Sequence, residues 1–274
     1  SAEYMLPDCF GFPASLPSIL AHMGIKGFST QKLTWKSAAG IPFNVGIWEG
    51  PDGKSVLAAL NPLSYSGDVR EDLSKSEQWI KRIQENGEKS GLFVDYHYYG
   101  TGDTGGSPRE SSVKLTEAIV TKGLAVLPPP LPSGQRFSPP EQAPSGPEVQ
   151  VGDGPLKVIS ATAEQMFLDI KPEQTARLPR YKGDLLLTEH SAGSISSQTY
   201  MKRWNRKNEL LADAAERASV AAEWLGGRPY PLERLNNAWT LVLGGQFHDI
   251  LPGTSTPKAY EYSWNDEVLA MNQF

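Results

Sequence analysis

The pattern of apolar and polar positions changes near residue 188. Before that point, short β-rich runs alternate with helical stretches, for example a strand at Ser55–Leu60 and a helix at Leu73–Glu88. Alternation of this kind predicts an α/β sheet or barrel. After Leu187, apolar residues recur at three-, four- and seven-residue spacings with charged residues between them, which predicts amphipathic helices.

Three helices are predicted in the second part. The first runs from Tyr200 to Leu225 and is followed by two glycines, which commonly end a helix. Two more begin near Leu232 and Lys258 and complete a three-helix bundle. The predicted domains are therefore an α/β domain over residues 1–188 and a three-helix bundle over residues 189–274.

A Pro-, Gly- and Ser-rich segment, residues 127–155, interrupts the first domain. Its composition predicts a surface loop and not a core element. An insertion without a catalytic role is the favoured interpretation, and a lid that shapes access for a substrate is the alternative.

Composition and charge exclude several classes of function. Apolar residues make up 39% of the 274-residue chain, and the formal net charge is −5. A mildly acidic chain without a basic patch argues against binding to nucleic acid or to anionic membranes, and no apolar run is long enough to span a bilayer. The single cysteine, Cys9, excludes an internal disulfide framework.

The run Gln246–Thr254 places an imidazole, His248, beside a carboxylate, Asp249. It follows an apolar segment and contains a Pro-Gly pair, which predicts a turn at the end of a helix. Histidine is the commonest metal ligand, and Asp249 could bind the same metal or a sugar hydroxyl. A His-Asp pair that caps a buried helix is the alternative.

A second candidate carboxylate, Asp8, precedes a predicted helix at Ser15–Gly24, and Ile25–Phe28 is predicted as the next strand. In β/α barrels, the loops that lead from strand to helix carry the chemistry. An ordinary loop or N-cap carboxylate is the alternative.

The third acidic motif, Tyr98–Pro108, surrounds Asp103 with four glycines, between a predicted strand at Gly91–Tyr96 and a predicted helix at Ser111–Thr121. Glycines permit tight turns and close approach of a ligand. The spacing is not that of a nucleotide-binding loop, and a flexible surface loop is the alternative.

Together these motifs resemble glycoside hydrolase family 38, the α-mannosidases, most closely the branch with a glycine-rich acid loop found in bacteria and in the cytosol or vacuole. The resemblance extends over most of the chain and keeps the order of the family. The matching stretches are Leu6–Gly11, Gly24–Trp35, Gly100–Pro108, Ser197–Arg206 and Gln246–Thr254.

The resemblance implies a retaining, zinc-dependent, exo-acting α-mannosidase that hydrolyses terminal α-mannosyl residues of oligosaccharides or N-glycans. Asp8 matches the nucleophile that also touches the zinc ion, and Asp103 matches the general acid/base. His248 matches a zinc ligand, Asp249 a residue that holds sugar hydroxyls, and Trp35 a residue that lines the mannose subsite. The implied fold is an incomplete seven-stranded β/α-barrel-type domain followed by the three-helix bundle, with the active site at their junction.

One departure concerns the metal. The family's other two zinc ligands lie in a His-x-Asp motif upstream of the nucleophile, and this chain begins seven residues before Asp8. His22, His97 and His190 are the remaining histidines, and none stands in such a motif. We therefore expect the sequence to be a fragment that is inactive alone.

Two other classes of function stay open on the residues alone. One is a metal-dependent deacetylase or amidohydrolase that uses Asp8 and His248 as ligands, although a metal hydrolase needs no second carboxyl such as Asp103. The other is a non-catalytic carbohydrate-binding protein. The sequence leaves the compartment unassigned, with a cytoplasmic or periplasmic location of the bacterial type favoured, and it leaves homo-oligomerisation open.

Overall fold

A computed structural model of the chain describes residues 1–102, 105–129 and 145–274. Contacts divide the chain into two compact units, Ser1–Leu187 and Thr188–Phe274. Within the described ranges, none of the helices combines the length and the apolarity that crossing a bilayer requires.

Among the described residues, a mixed five-stranded sheet forms the centre of the first unit, in the order β1-β3-β5-β4-β8. Strands β1, β3 and β5 are parallel, whereas β4 is antiparallel to β5 and parallel to β8. Two small antiparallel pairs, β2 with β9 and β6 with β7, lie outside this sheet. The strands are β1 (Glu3–Met5), β2 (Gly11–Phe12), β3 (Gly27–Ser29), β4 (Val45–Glu49), β5 (Ser55–Ala59), β6 (Leu124–Ala125), β7 (Val149–Gln150), β8 (Arg180–Lys182) and β9 (Leu185–Leu186).

Aromatic side chains hold β3 in the middle of the core. Phe28 is completely buried, with ring centroids 5.2 Å from Phe12 and 5.1 Å from Trp48. The Trp48 indole also donates a hydrogen bond to the Gly183 carbonyl at 3.0 Å. Burying each ring contributes about 1.5–3 kcal/mol, so this cluster fixes β3 and the loop that follows it.

The helices of the first unit confirm the amphipathic segments of the sequence, with one break. The helix predicted at Leu73–Glu88 is divided because Ser76 has extended backbone angles, φ −64° and ψ 116°. The Asp72 carboxylate accepts the Ser74 N–H at 3.1 Å and caps the start of the short 3-10 turn Leu73–Lys75, which ends at Ser76. The helices are α1 (Leu16–His22), α2 (Glu77–Ser90), α3 (Glu110–Thr121), α4 (Gln165–Asp169) and α5 (Pro172–Thr175), with 3-10 helices at Lys32–Trp35 and Leu73–Lys75.

The strand predicted at Gly91–Tyr96 is not formed. Asp95 accepts the backbone N–H of Tyr96 at 2.9 Å, and its other oxygen accepts from Arg82 Nε at 2.6 Å and Asn86 Nδ2 at 2.8 Å. The backbone N–H is therefore used locally and not in a β ladder. Burial raises the pKa of Asp95, and the charge of Arg82 opposes that shift.

The prediction of a surface loop over residues 127–155 was wrong at its C-terminal end. Here β7 pairs with β6, and Val151 is completely buried beside Leu115. The Gly152 N–H donates to both oxygens of Asp72, at 3.2 and 3.1 Å, which draws this end into the core. Residues 130–144, in the middle of the segment, lie outside the described residues.

The second unit consists of three helices, α6 (Thr199–Trp224), α7 (Leu232–Gly245) and α8 (Pro257–Gln273), preceded by a 3-10 helix at Ala192–Ile195. Each of the three helices packs against the other two. Small and branched side chains, Ala238, Val242 and Ala270, meet at a fully buried centre, which permits the close approach of α7 and α8. The three helices predicted from the apolar spacing are confirmed.

A carboxyl group is buried between α6 and α8. Glu267 is 1% exposed, and one of its oxygens accepts from Asn208 Nδ2 at 2.6 Å. Its other oxygen and the Asn208 side-chain carbonyl have no partner among the described residues. Burial raises the pKa of Glu267, and the hydrogen bond from Asn208 opposes that shift.

We expect Glu267→Gln to stabilise the protein at neutral pH by on the order of 1 kcal/mol. The amide keeps an acceptor for Asn208 and carries no charge to desolvate. Well below the ordinary pKa of glutamate, the carboxyl is protonated in the folded and unfolded states, so the penalty is absent. The penalty develops as rising pH ionises the unfolded chain.

Thermal unfolding of both proteins between pH 4 and pH 8 tests this expectation. The advantage of the variant should grow as the pH rises. Glu261→Gln, on the exposed face of α8, serves as the control and should show no such trend. A Glu267→Gln variant that is less stable than the parent at pH 7 would contradict the explanation.

Candidate active site

Two loops leave the same edge of the sheet and bring a carboxylate and an ammonium group together. Asp8 follows β1, and the 3-10 helix Lys32–Trp35 follows β3. Because β1 and β3 are parallel neighbours, both loops leave at their carboxyl ends, where open α/β sheets bind ligands. Lys32 Nζ donates a hydrogen bond to Asp8 Oδ1, and the Gln31 side chain donates to the Pro7 carbonyl at 3.0 Å.

The ammonium group of Lys32 is buried among aromatic rings. Its side chain is 6% exposed, and Nζ lies 4.0 Å from the ring centroid of Trp35 and 5.5 Å from that of Phe10. Trp35 itself is 41% exposed. An exposed indole at this edge suits contact with a sugar ring, and the assignment of Trp35 to the mannose subsite stays a prediction.

The glycine-rich loop is described on both sides of Asp103, which itself lies outside the described residues. Gly67 and Gly100 exchange two backbone hydrogen bonds of 2.8 Å. A Cβ on Gly102 would come within 2.9 Å of the Ser66 side chain, and Gly106 has a φ of +129° that favours glycine. Close packing and backbone conformation therefore explain why glycine occupies positions 102 and 106. The role of Asp103 stays a prediction.

His248 and Asp249 lie in the segment that follows α7. His248 Nε2 is 3.6 Å from Asp249 Oδ2, and the two side chains are 30% and 41% exposed. Thr254 Oγ1 donates to Asp249 Oδ1 at 2.8 Å, and the Tyr260 hydroxyl donates to the Asp249 carbonyl at 2.9 Å. The pair is partly exposed beyond the end of α7, and its assignment to metal and sugar binding stays a prediction.

Lys202 holds the turn that follows His248 and Asp249. Its ammonium group donates to the carbonyl oxygens of Ser197, Leu251 at 2.9 Å and Pro252 at 3.1 Å. The turn packs closely against Ser197: a Cβ on Gly253 would come within 2.5 Å of Ser197 Oγ, so this position requires glycine. Burial lowers the pKa of Lys202.

The structure places the predicted site residues that it describes in two pairs, one in each unit. Asp8 and Trp35 both neighbour Lys32 in the first unit, whereas His248 and Asp249 neighbour each other in the second. A site that joins the two pairs stays a prediction. Sequence reasoning missed Lys32, although it lies shortly after the strand predicted at Ile25–Phe28 and within the matching stretch Gly24–Trp35.

Comparison with known proteins points to one family for both units. Residues 1–128 match the glycosyl hydrolases family 38 N-terminal domain, and residues 189–271 match the alpha mannosidase middle domain. Alpha-mannosidase G from Dictyostelium discoideum is 32% identical over 99% of this chain and 21% of its own length. An alpha-mannosidase from Saccharomyces cerevisiae is 28% identical over 96% of this chain and 22% of its own length.

The crystal structure of an alpha-mannosidase from Enterococcus faecalis resembles the whole chain, with a TM-score of 0.61 at 15% identity, and 28% of that chain is covered. At this identity the similarity concerns the fold. The present chain belongs to glycosyl hydrolase family 38. It spans about a fifth of the length of the curated relatives that it matches.

The residues present do not form a complete metal site. Family 38 implies zinc, and the resemblance assigns Asp8 and His248 to it. In residues 1–102, 105–129 and 145–274, no group of three or more His, Cys, Asp or Glu side chains is arranged to hold a metal ion. Zinc in proteins usually takes at least three protein ligands, so the described donors do not fit it by themselves.

We expect Lys202→Met to loosen the segment that carries His248 and Asp249. The change removes the donor to three carbonyl oxygens and should cost about 1–3 kcal/mol of unfolding free energy. Hydrogen exchange of the Gly253 and Thr254 amides, which close this turn, should become faster.

The matched control is Lys258→Met, since Lys258 is exposed and pairs with Glu261 three residues further along α8. That control should leave both amides unchanged. Equal exchange in Lys202→Met and the parent protein would show that the ammonium group does not hold the turn.

Proposed function

We propose that the protein containing this chain is a retaining, exo-acting α-mannosidase that removes terminal α-mannosyl residues from oligosaccharides or N-glycans. The observation that carries the proposal is the Asp8 carboxylate at the carboxyl edge of the parallel strands, bonded to Lys32, whose ammonium group lies over the ring of Trp35. Membership of family 38 supports the choice of substrate. The same membership favours a barrel-type domain followed by a helix bundle as the architecture of the complete protein.

A retaining mechanism assigns different tasks to two carboxyl groups. In the first step, an Asp8 oxygen bonds to the anomeric carbon while the glycosidic C–O bond breaks, and Asp103 protonates the departing oxygen. In the second step, Asp103 takes a proton from water, the water oxygen bonds to the anomeric carbon, and the bond to Asp8 breaks. The two carboxyl groups need to lie about 5–5.5 Å apart.

Other residues of the chain would bind the sugar. Asp249 offers a carboxylate, held by Thr254, that can accept hydrogen bonds from sugar hydroxyls. The exposed indole of Trp35 can contact the apolar face of a pyranose ring. We assign both residues to substrate binding, with the oligosaccharide as the partner of the protein.

We also propose that Asp8 and His248 contribute to a zinc site in the complete protein. Carboxylate oxygen and imidazole nitrogen are common zinc donors. Two donors are too few for a stable site, so this proposal requires further ligands from elsewhere in the complete protein. Zinc would supply positive charge that orders the sugar hydroxyls.

The roles of nucleophile and acid/base can be distinguished with substrates whose leaving groups differ in their need for protonation. In the complete enzyme, Asp8→Ala should abolish turnover of every α-mannoside, because no glycosyl-enzyme can form. Asp103→Ala should spare the first step for dinitrophenyl mannoside, whose leaving group departs without protonation. Added azide should then partly restore turnover and yield mannosyl azide.

The control for both variants is Asp169→Ala, which changes an exposed carboxylate of the same unit and should retain the parent activity. If Asp103→Ala impaired activated and unactivated substrates equally and azide had no effect, another residue would be the acid/base. An active Asp8→Ala enzyme would remove Asp8 from the mechanism.

Zinc content tests the metal assignment directly. We expect the complete protein to carry zinc in a fixed ratio to protein, and His248→Ala to lose most of it because an imidazole donor is removed. Elemental analysis after gel filtration measures the ratio, with His190→Ala as the histidine control from the same unit. Full zinc content in His248→Ala would reject the assignment, and this chain alone should bind zinc weakly.

A further inference from the structure

We propose that Lys32 is a positioning residue for Asp8, which holds the carboxylate in place and favours its release during breakdown of the glycosyl-enzyme. The inference rests on the proposed function, because it takes Asp8 as the nucleophile. It adds a residue that acts through Asp8 and does not itself contact the reacting atoms.

The burial of Lys32 is the first argument. Lysine is almost never buried without a partner, because desolvation of an ammonium group costs several kcal/mol or more. The side chain of Lys32 is nevertheless only 6% exposed, and Asp8 is the carboxylate to which it donates. The faces of Trp35 and Phe10 supply further attraction for the cation. The charge of Lys32 is therefore directed at Asp8 and largely shielded from solvent, whereas the Asp8 side chain is 25% exposed.

The backbone around Lys32 is fixed as well. The backbone N–H of Lys32 donates to Thr30 Oγ1 at 3.2 Å. The 3-10 helix that begins at Lys32 is ended by Lys36, which has a left-handed conformation with φ 70°. The Gln31 side chain joins this loop to Pro7 at 3.0 Å, one residue before Asp8. The ammonium and the carboxylate are thus held from both sides, so their hydrogen bond restricts rotation of the Asp8 carboxylate.

The charge of Lys32 has opposite effects on the two steps of the reaction. When Asp8 forms its bond to the anomeric carbon, the carboxylate becomes a neutral ester and the ammonium loses its ionic partner. When that bond breaks during hydrolysis, the bonding electron pair returns to the Asp8 oxygen, and the full negative charge returns with it. A nearby fixed cation stabilises this departing carboxylate, so Lys32 should matter most for the second step.

Dinitrophenyl mannoside tests the proposal in the complete enzyme, because fast departure of dinitrophenolate makes breakdown of the glycosyl-enzyme rate-limiting. The initial burst of dinitrophenolate counts the active molecules. For Lys32→Met we expect kcat per active molecule to fall on the order of 10- to 100-fold, the loss of one charge-assisted hydrogen bond. KM should fall with it, because the glycosyl-enzyme accumulates, and mass spectrometry should find the mannosyl adduct on Asp8.

Two further variants separate positioning from folding. Lys32→Arg keeps a cation and should recover most of kcat per active molecule. Lys26→Met makes the same change at an exposed lysine of the same unit and should equal the parent in every measurement. A lower burst with an unchanged rate per active molecule, a loss that follows a loss of zinc, or equal rates in Lys32→Met and the parent would each overturn the role of Lys32.

Failure of the proposed function gives a different result. If the parent enzyme formed no adduct on Asp8 and Asp8→Ala remained active, the assignment of the nucleophile would be wrong whatever the Lys32 variants do. If the adduct formed in the parent and Lys32→Met released it at the parent rate, only the role of Lys32 would be wrong.

Discussion

The parallel pairing of β1 with β3 is the constraint on which the candidate site depends. It aligns Glu3 with Gly27 and Met5 with Ser29, so the chain leaves both strands at one edge. The buried ring of Phe28 fixes β3 from within the core. Lys32 therefore reaches Asp8 across 24 residues of sequence. A slip of one residue in this register would turn every side chain of the strand to the opposite face and separate the two charges.

The sequence predicted the parts of the molecule that depend on local periodicity. Helices α2, α3, α6, α7 and α8 follow the apolar spacing, since side chains three and four positions apart share a helix face. The strand at Gly91–Tyr96 failed because its β-rich residues surround Asp95, whose pairing with Arg82 comes from a helix earlier in the chain. Lys32 was missed for the same reason, since strand order and register involve residues far apart in sequence. The roles predicted for Asp8, Asp103 and His248 rest on sequence motifs and not on periodicity.

Buried charges have different consequences in the two units. In the first, Lys32 faces a carboxylate and two aromatic rings, so its charge is compensated and directed at Asp8. In the second, Lys202 faces three carbonyl oxygens and holds a turn. Glu267 has an asparagine as its hydrogen-bond donor, and its burial opposes ionisation. The chemical nature of the partner thus separates the cation that is directed at a carboxylate from the cation that holds a turn.

The antiparallel pair of β6 and β7 brings together two points of the chain that are far apart in sequence, Leu124 opposite Gln150 and Ala125 opposite Val149. Behind this closure, Val151 is buried and Gly152 is bonded to Asp72, while β6 packs against α3. The entropy of closing a connection rises only by about 0.6 kcal/mol for each doubling of its length. Doubling the length of the connection between β6 and β7 should therefore lower the free energy of unfolding of the first unit by less than about 1 kcal/mol.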